Sequence, residues 1–123
     1  MKQLVLAMLV LVGTVTVGTP IWAQKERPLS KDQAINLLST AKTPEEHDRL
    51  AQYFNQKASK LETEAKEHKD LSNAYHKGKV RNMQNASLCD EAAAAETKAA
   101  QENRALADSH HKMAEDLRSG LPH

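Results

Sequence analysis

Aromatic rings, glycine, proline and cysteine are all scarce in this 123-residue sequence: one Phe, two Tyr, one Trp, four glycines, four prolines and a single cysteine. The lone thiol, Cys89, excludes an intramolecular disulfide, so in an oxidising compartment it is buried, paired with another chain or reactive. Large aliphatic residues are thin too. Leu, Ile, Val and Phe number thirteen after residue 23, below the ~20% level that usually separates globular chains from disordered ones. An excess of one charge is also missing: 17 Lys and Arg face 16 Asp and Glu, and removing Lys2 makes the balance 16 to 16. That neutrality removes the other half of the disorder signature and leaves no electrostatic footprint for nucleic acid or an anionic membrane surface. Alanine-rich helices that pack closely, or that find a partner chain, reconcile a thin core with a neutral surface.

Long apolar runs are confined to the start of the chain. Lys2 supplies a positive n-region, Leu4 to Val12 an apolar h-region and Thr19-Pro20 a break before a small residue, so residues 1–23 read as a secretory signal cleaved after Ala23. The run from Leu4 to Trp22 approaches the ~20 residues a spanning helix needs, but Gly13, Thr14, Thr16 and Gly18 weaken it as an uncleaved anchor. No cysteine stands near the cut, which argues against a lipid-anchored product. The expected location is the periplasm or the exterior, with no stable membrane insertion after cleavage.

Residues 24–29 form a polar leader. Ser30-Lys31-Asp32-Gln33 is a capping-box pattern that opens a short helix over about 31–41. Thr43 then caps a second helix, with Pro44 at a position where its missing N–H costs nothing and Glu45 and Glu46 at the positive end of the dipole. Along that helix, to about residue 76, His47, Leu50, Ala51, Phe54, Ala58, Leu61, Ala65, His68, Leu71 and Tyr75 step by three and four and form one stripe. No proline or glycine interrupts it before Gly78. Ser87, with Asp90 three residues on, predicts a third helix over about 87–119, its stripe drawn through Leu88, Ala92, Ala95, Ala99, Glu102 or Asn103, Leu106, His110, Met113 and Leu117. Gly120 and Pro122 stop it and leave a tail of 120–123.

Sliding the sequence by 35 residues, five heptads, sets Ala58 and Ala65 on Ala93 and Ala100, and Leu71 on Leu106. Two long helices with a short connection must run antiparallel. The expected fold is therefore all-α: an antiparallel long-helix hairpin with the short N-terminal helix packed across it, three-helix and bundle-like.

The segment Ala41 to His68 carries Thr43, Pro44, His47, Leu50, Ala51, Tyr53 and Phe54, and the later helix carries Cys89, Leu106, Ala107 and His110. In these residues the chain resembles a group of small, uncharacterised, alanine-rich bacterial secreted or periplasmic helical proteins. Their pattern is Ala-x-Thr-Pro-x-x-His-x-x-Leu-Ala-x-Tyr-Phe/Tyr, followed by a single cysteine at the start of a second helix and a Leu-Ala-x-x-His segment. In that group a His often precedes the cysteine. Here Leu88 does, which weakens a ligand role for that pair. The resemblance implies a location and a fold and brings no activity.

Chemistry is concentrated in Ser109-His110-His111-Lys112-Met113. His110 and Met113 share a helix face, and an antiparallel hairpin brings His47 toward them, so the three are candidate metal ligands. Imidazole with thioether selects copper, the one cofactor candidate; the bland alternative makes the histidines packing residues and implies no cofactor. Cys89 is expected near a helix start as a semi-buried residue or the site of an intermolecular disulfide. The sequence has no Glu-x-x-His, so a di-iron bundle centre is excluded, and it shows no catalytic triad or phosphate-binding glycine loop. The function expected from the sequence is non-enzymatic. Leu50, Phe54, Leu61, Leu71, Tyr75 and Leu106 form an interface through which the chain associates with itself or with another envelope protein. The competing function is periplasmic metal binding.

Overall fold

The computed structural model describes residues 27–79 and 81–120. The segment 1–23 expected to be a signal, most of the expected leader and the end of the expected tail lie outside them. Three helices follow in order, α1 (Lys31–Thr40), α2 (Pro44–Lys77) and α3 (Met83–Ser119), with no strand among the described residues. None of these helices is long and apolar enough to cross a membrane.

The first two helices start where their side chains close the local hydrogen bonds. The Ser30 hydroxyl accepts from the Gln33 amide at 3.2 Å while the Gln33 side chain accepts from the Ser30 amide at 2.9 Å, satisfying two orphan donors at once. Thr43 and Glu46 repeat the device on α2, and the Glu46 carboxylate also accepts from the Lys42 amide at 2.8 Å. These backbone donors, Lys42 first, hold the Glu46 carboxyl below its ordinary range.

The third helix begins four residues before the predicted start. Asn82 caps it by accepting from the Asn85 amide at 3.0 Å, so Ser87 lies a turn inside, its hydroxyl 3.5 Å from Glu91. Asn is as good a cap as Ser, and the earlier cap adds helix that packs, which decides between them. Cys89 is consequently the seventh residue of α3 rather than the second. At the far end Gly120 adopts φ 69°, the left-handed conformation expected of it.

The two long helices, 34 and 37 residues, form the predicted antiparallel hairpin. Their contact line is built from the smallest side chains. On α2 the buried set includes Ala51, Ala58, Ala65 and Ser72; on α3 it includes Ala86, Ala93, Ala100, Ala107 and Ala114. Each series advances by seven. A strict seven-residue repeat on both helices keeps one seam facing its partner through a left-handed supercoil, and a small side chain at every second turn of that seam lets the backbones come close. Flanking polar pairs hold the register: Asp48, Asn55 and Lys69 on α2 meet His111, Arg104 and Asp90 on α3, seven residues or multiples of seven apart in opposite directions. Exposed pairs of this kind contribute only ~0.2–1 kcal/mol each, so they select register more than they stabilise.

On α2 the predicted stripe holds at Leu50, Ala51, Phe54, Ala58 and Ala65, but the structure buries Ser72 and leaves Leu71 half exposed. On α3 the predicted stripe is displaced by about one residue. Leu88, Leu106 and Met113 are exposed at 56%, 45% and 37%, while Ala93, Ala100, Ala107 and Ala114 are buried. The seam follows the residues that allow close approach, not the bulkiest ones. The short α1 does not lie across the pair either: it meets α2 alone, burying Ala34, and no Cα of α1 comes within 8 Å of α3.

Candidate functional site

At the open end of the hairpin, opposite the connection, the first turn of α2 meets the last turns of α3. His47 and His110 come together here, with Nδ1 of one 3.1 Å from Nδ1 of the other. Both occupy the seam position three residues after, or four before, a buried small residue: His110 follows Ala107 and His47 precedes Ala51. The heptad thus turns two imidazoles inward where an apolar side chain is usual. Phe54, one heptad on from His47, stacks on His110 with centroids 5.7 Å apart and planes 7° apart, while His47 meets His110 edge to edge through the Nδ1 contact, with centroids 5.4 Å apart and planes 24° apart. Tyr53 meets Phe54 edge-on, and Ala51, Phe54 and Ala107 form the apolar cluster beneath.

His110 is 9% exposed and His47 half-buried. Burial, and then the proximity of His47, lowers the pKa of His110, because a charged ring there lacks water and faces a like charge. An Nδ1-to-Nδ1 contact holds a single proton, so one ring donates to the other. Around this pair the surface is ion-paired: Asp48 binds both Arg118 and His111, and His111 also reaches Glu115 at 3.4 Å.

Of the three predicted ligands the structure therefore brings two together, while Met113 stands one turn beyond His110 and is exposed. Among the described residues no group of three or more His, Cys, Asp or Glu side chains converges on one point. Cys89 is half-buried on the seam side of α3, three residues after Ala86. The interface residues divide: Leu50 and Phe54 are consumed inside the hairpin, Leu61 and Tyr75 are half-buried, and Leu71 and Leu106 are exposed.

A second histidine contact was not foreseen. His68 Nδ1 lies 2.9 Å from Glu96 of α3, two seam positions turned toward each other. The only sequence signal for it is that His68 and Glu96 each follow a buried alanine by three residues. Hydrogen bonding to Glu96 raises the pKa of His68, against the smaller opposing effect of burial. Since the folded value lies above the unfolded one, the pair stabilises the fold fully below the unfolded histidine pKa of ~6.5, and the contribution is lost as pH rises through the raised value. Glu96→Gln is therefore expected to lower the urea midpoint at pH 5.5 and to leave it nearly unchanged at pH 8.5. An equal loss at both values would show that the pair is not coupled to His68 protonation.

An open groove of about 610 Å³ runs along the ion-paired flank, with Ala65 and Ala93 in its floor and Glu62, Lys66, Lys69 and Asp90 on its rim. Its alternating charges favour neither anion nor cation. No protein-family model, curated protein or solved structure matches this chain.

Proposed function

We propose that the chain is a secreted or periplasmic, non-catalytic interaction protein: a closed helical hairpin that presents apolar side chains outward for a second copy of itself or another envelope protein. The observation that supports this is an asymmetry between the two flanks of the seam. One flank carries the polar links, with Arg104 donating to Asn55, Ser59 and Glu62, Lys69 to Asp90, and Arg118 to Asp48. The other flank holds the residues immediately before each buried small residue, where a helix turns about 100° per residue to the opposite side. There stand Leu71 before Ser72, Leu106 before Ala107 and Met113 before Ala114, each at least 37% exposed.

Lys57 and Glu64 interrupt this flank on α2, so its apolar character gathers toward its two ends. Met83 and Leu88, exposed at 58% and 56%, lie off this flank and need no explanation as single residues, but the three that share it beside a closed seam fit a helix-in-groove partner. The segment 1–23 supports the location. A photo-crosslinking side chain placed at position 106 in the producing cell is expected to capture a specific adduct, with itself or with one envelope protein. The same group at Lys60, on an outward face, is expected to capture none. Equal labelling at both positions, or none at either, would contradict the assignment.

A further inference from the structure

Beyond that interaction role, we propose that His47 and His110 form a two-imidazole site for a divalent transition ion, Cu(II) in first place and Zn(II) after it. The geometry carries this. At the ~2.0–2.1 Å reach of an imidazole nitrogen, donors 3.1 Å apart subtend about 100° at a shared ion, between the square-planar and tetrahedral angles. That separation is also too short for the linear coordination that two imidazoles give monovalent copper, so the divalent ion fits better. Both donors are the same atom type, Nδ1, and they belong to different helices that the alanine register holds at a fixed spacing.

Phe54 stacks on His110 and closes one face of its ring, and the half-buried His47 gives the pair its access to solvent. Two carboxylates on the same turn are already engaged, Asp48 by Arg118 and His111 and Glu46 by the Lys42 and Thr43 amides, which leaves the imidazoles as the donors. With two nitrogen ligands and no thiolate, the order of affinity follows the general preference of nitrogen sites for Cu(II) over Zn(II).

The proton balance is simple. Before binding, one ring carries its proton on Nδ1 and donates to the other, whose proton is on Nε2. On binding, the first proton passes through solvent to that ring's own Nε2. Each ring then turns by about 40° to bring its Nδ1 lone pair from the Nδ1-to-Nδ1 line onto the ion, and two neutral rings bind it with no net release of protons. Because the site joins the start of α2 to the end of α3, where no loop connects them, the ion acts as a clasp on the open end of the hairpin.

The test uses untagged full-length protein titrated with ZnCl₂ and followed by the imidazole ring signals in carbon-resolved NMR, with CuSO₄ binding measured by calorimetry. The signals of His47 and His110 are expected to move together and saturate at one equivalent of Zn(II), while those of His68, His76, His111 and His123 stay in place. His47→Ala is half-buried and expected to keep its helicity; it should weaken Cu(II) binding by roughly tenfold or more, since even partners of a ligand are typically worth 10–100-fold in metal affinity. Ring shifts confined to His68, His76, His111 or His123, no movement of His47 and His110 in excess metal, or Cu(II) affinity unchanged in a folded His47→Ala would each overturn the proposal. The NMR result stands even if the partner variant His110→Ala fails to fold.

Discussion

Ala58→Leu is expected to destabilise the protein by about 3 kcal/mol or more, at the top of the range for overpacking, because three carbons would enter a seam where the methyl group is already fully buried. In a domain of this size each kcal/mol lowers the thermal midpoint by about 4–8 °C, so the loss should exceed 10 °C. The control is Ala94→Leu on α3, next to the buried Ala93 but itself exposed, where the change should stay within ~0.5 kcal/mol. The contrast decides what holds the helices together. If apolar bulk drove the pairing, an added leucine would be neutral or helpful at both positions; if close approach does, only the seam position is intolerant. Thermal melts of the two variants followed by circular dichroism make the comparison.

Leu50→Ala carries the second large effect. Leu50 is 0% exposed and is the largest side chain buried completely, so its truncation is expected to cost ~2–5 kcal/mol, the sum of lost transfer energy and a residual cavity. Leu71 lies three heptads along the same flank of α2 and is half exposed; Leu71→Ala should cost well under half as much. Leu50 sits beside Arg49, which shares a shallow groove with Leu37 of α1, so the short helix lies against the start of α2. With total stabilities of ~5–15 kcal/mol typical of single domains, loss of Leu50 alone brings a chain with so few large buried residues near its unfolding limit. Urea denaturation of the two variants gives both numbers. Equal losses would mean that Leu71 is covered in solution, by another chain or another segment.

These two effects also mark where the sequence was legible. The caps of α1 and α2 were readable because their partners lie three residues away: Ser30 with Gln33, and Thr43 with Glu46. The stripe of α2 was readable for most of its length because bulky residues, Leu50, Phe54 and Leu61, flank the alanines and share their period. On α3 the same procedure failed. Ten of its 37 residues are alanine, so several stripes compete, and the eye follows Leu88, Leu106 and Met113 although the helix turns them outward.

The 35-residue slide that superposes Ala58 and Ala65 on Ala93 and Ala100 superposes one buried seam on the other, and what selects that phase is the partner helix, which local periodicity does not contain. The start of α3 was missed for a related reason, since Asn82 and Ser87 are comparable caps and only packing favours the longer helix. The approach of His47 to His110 followed from hairpin topology alone. Its Nδ1-to-Nδ1 geometry, and the pairing of His68 with Glu96, depended on register to within a residue and so waited for the structure.

The central claim is that the chain closes on itself through its alanine seam, leaving Leu71, Leu106 and Met113 free for a partner. A sample mixed from isotopically labelled and unlabelled protein tests it most directly, through filtered nuclear Overhauser effects between the methyl groups of Ala58 and Ala100, which the register places level with each other. The account predicts this contact within labelled chains, and absent from the spectrum that selects contacts between labelled and unlabelled chains. Its appearance only between chains would mean that the seam joins two molecules, and the closed hairpin would be wrong.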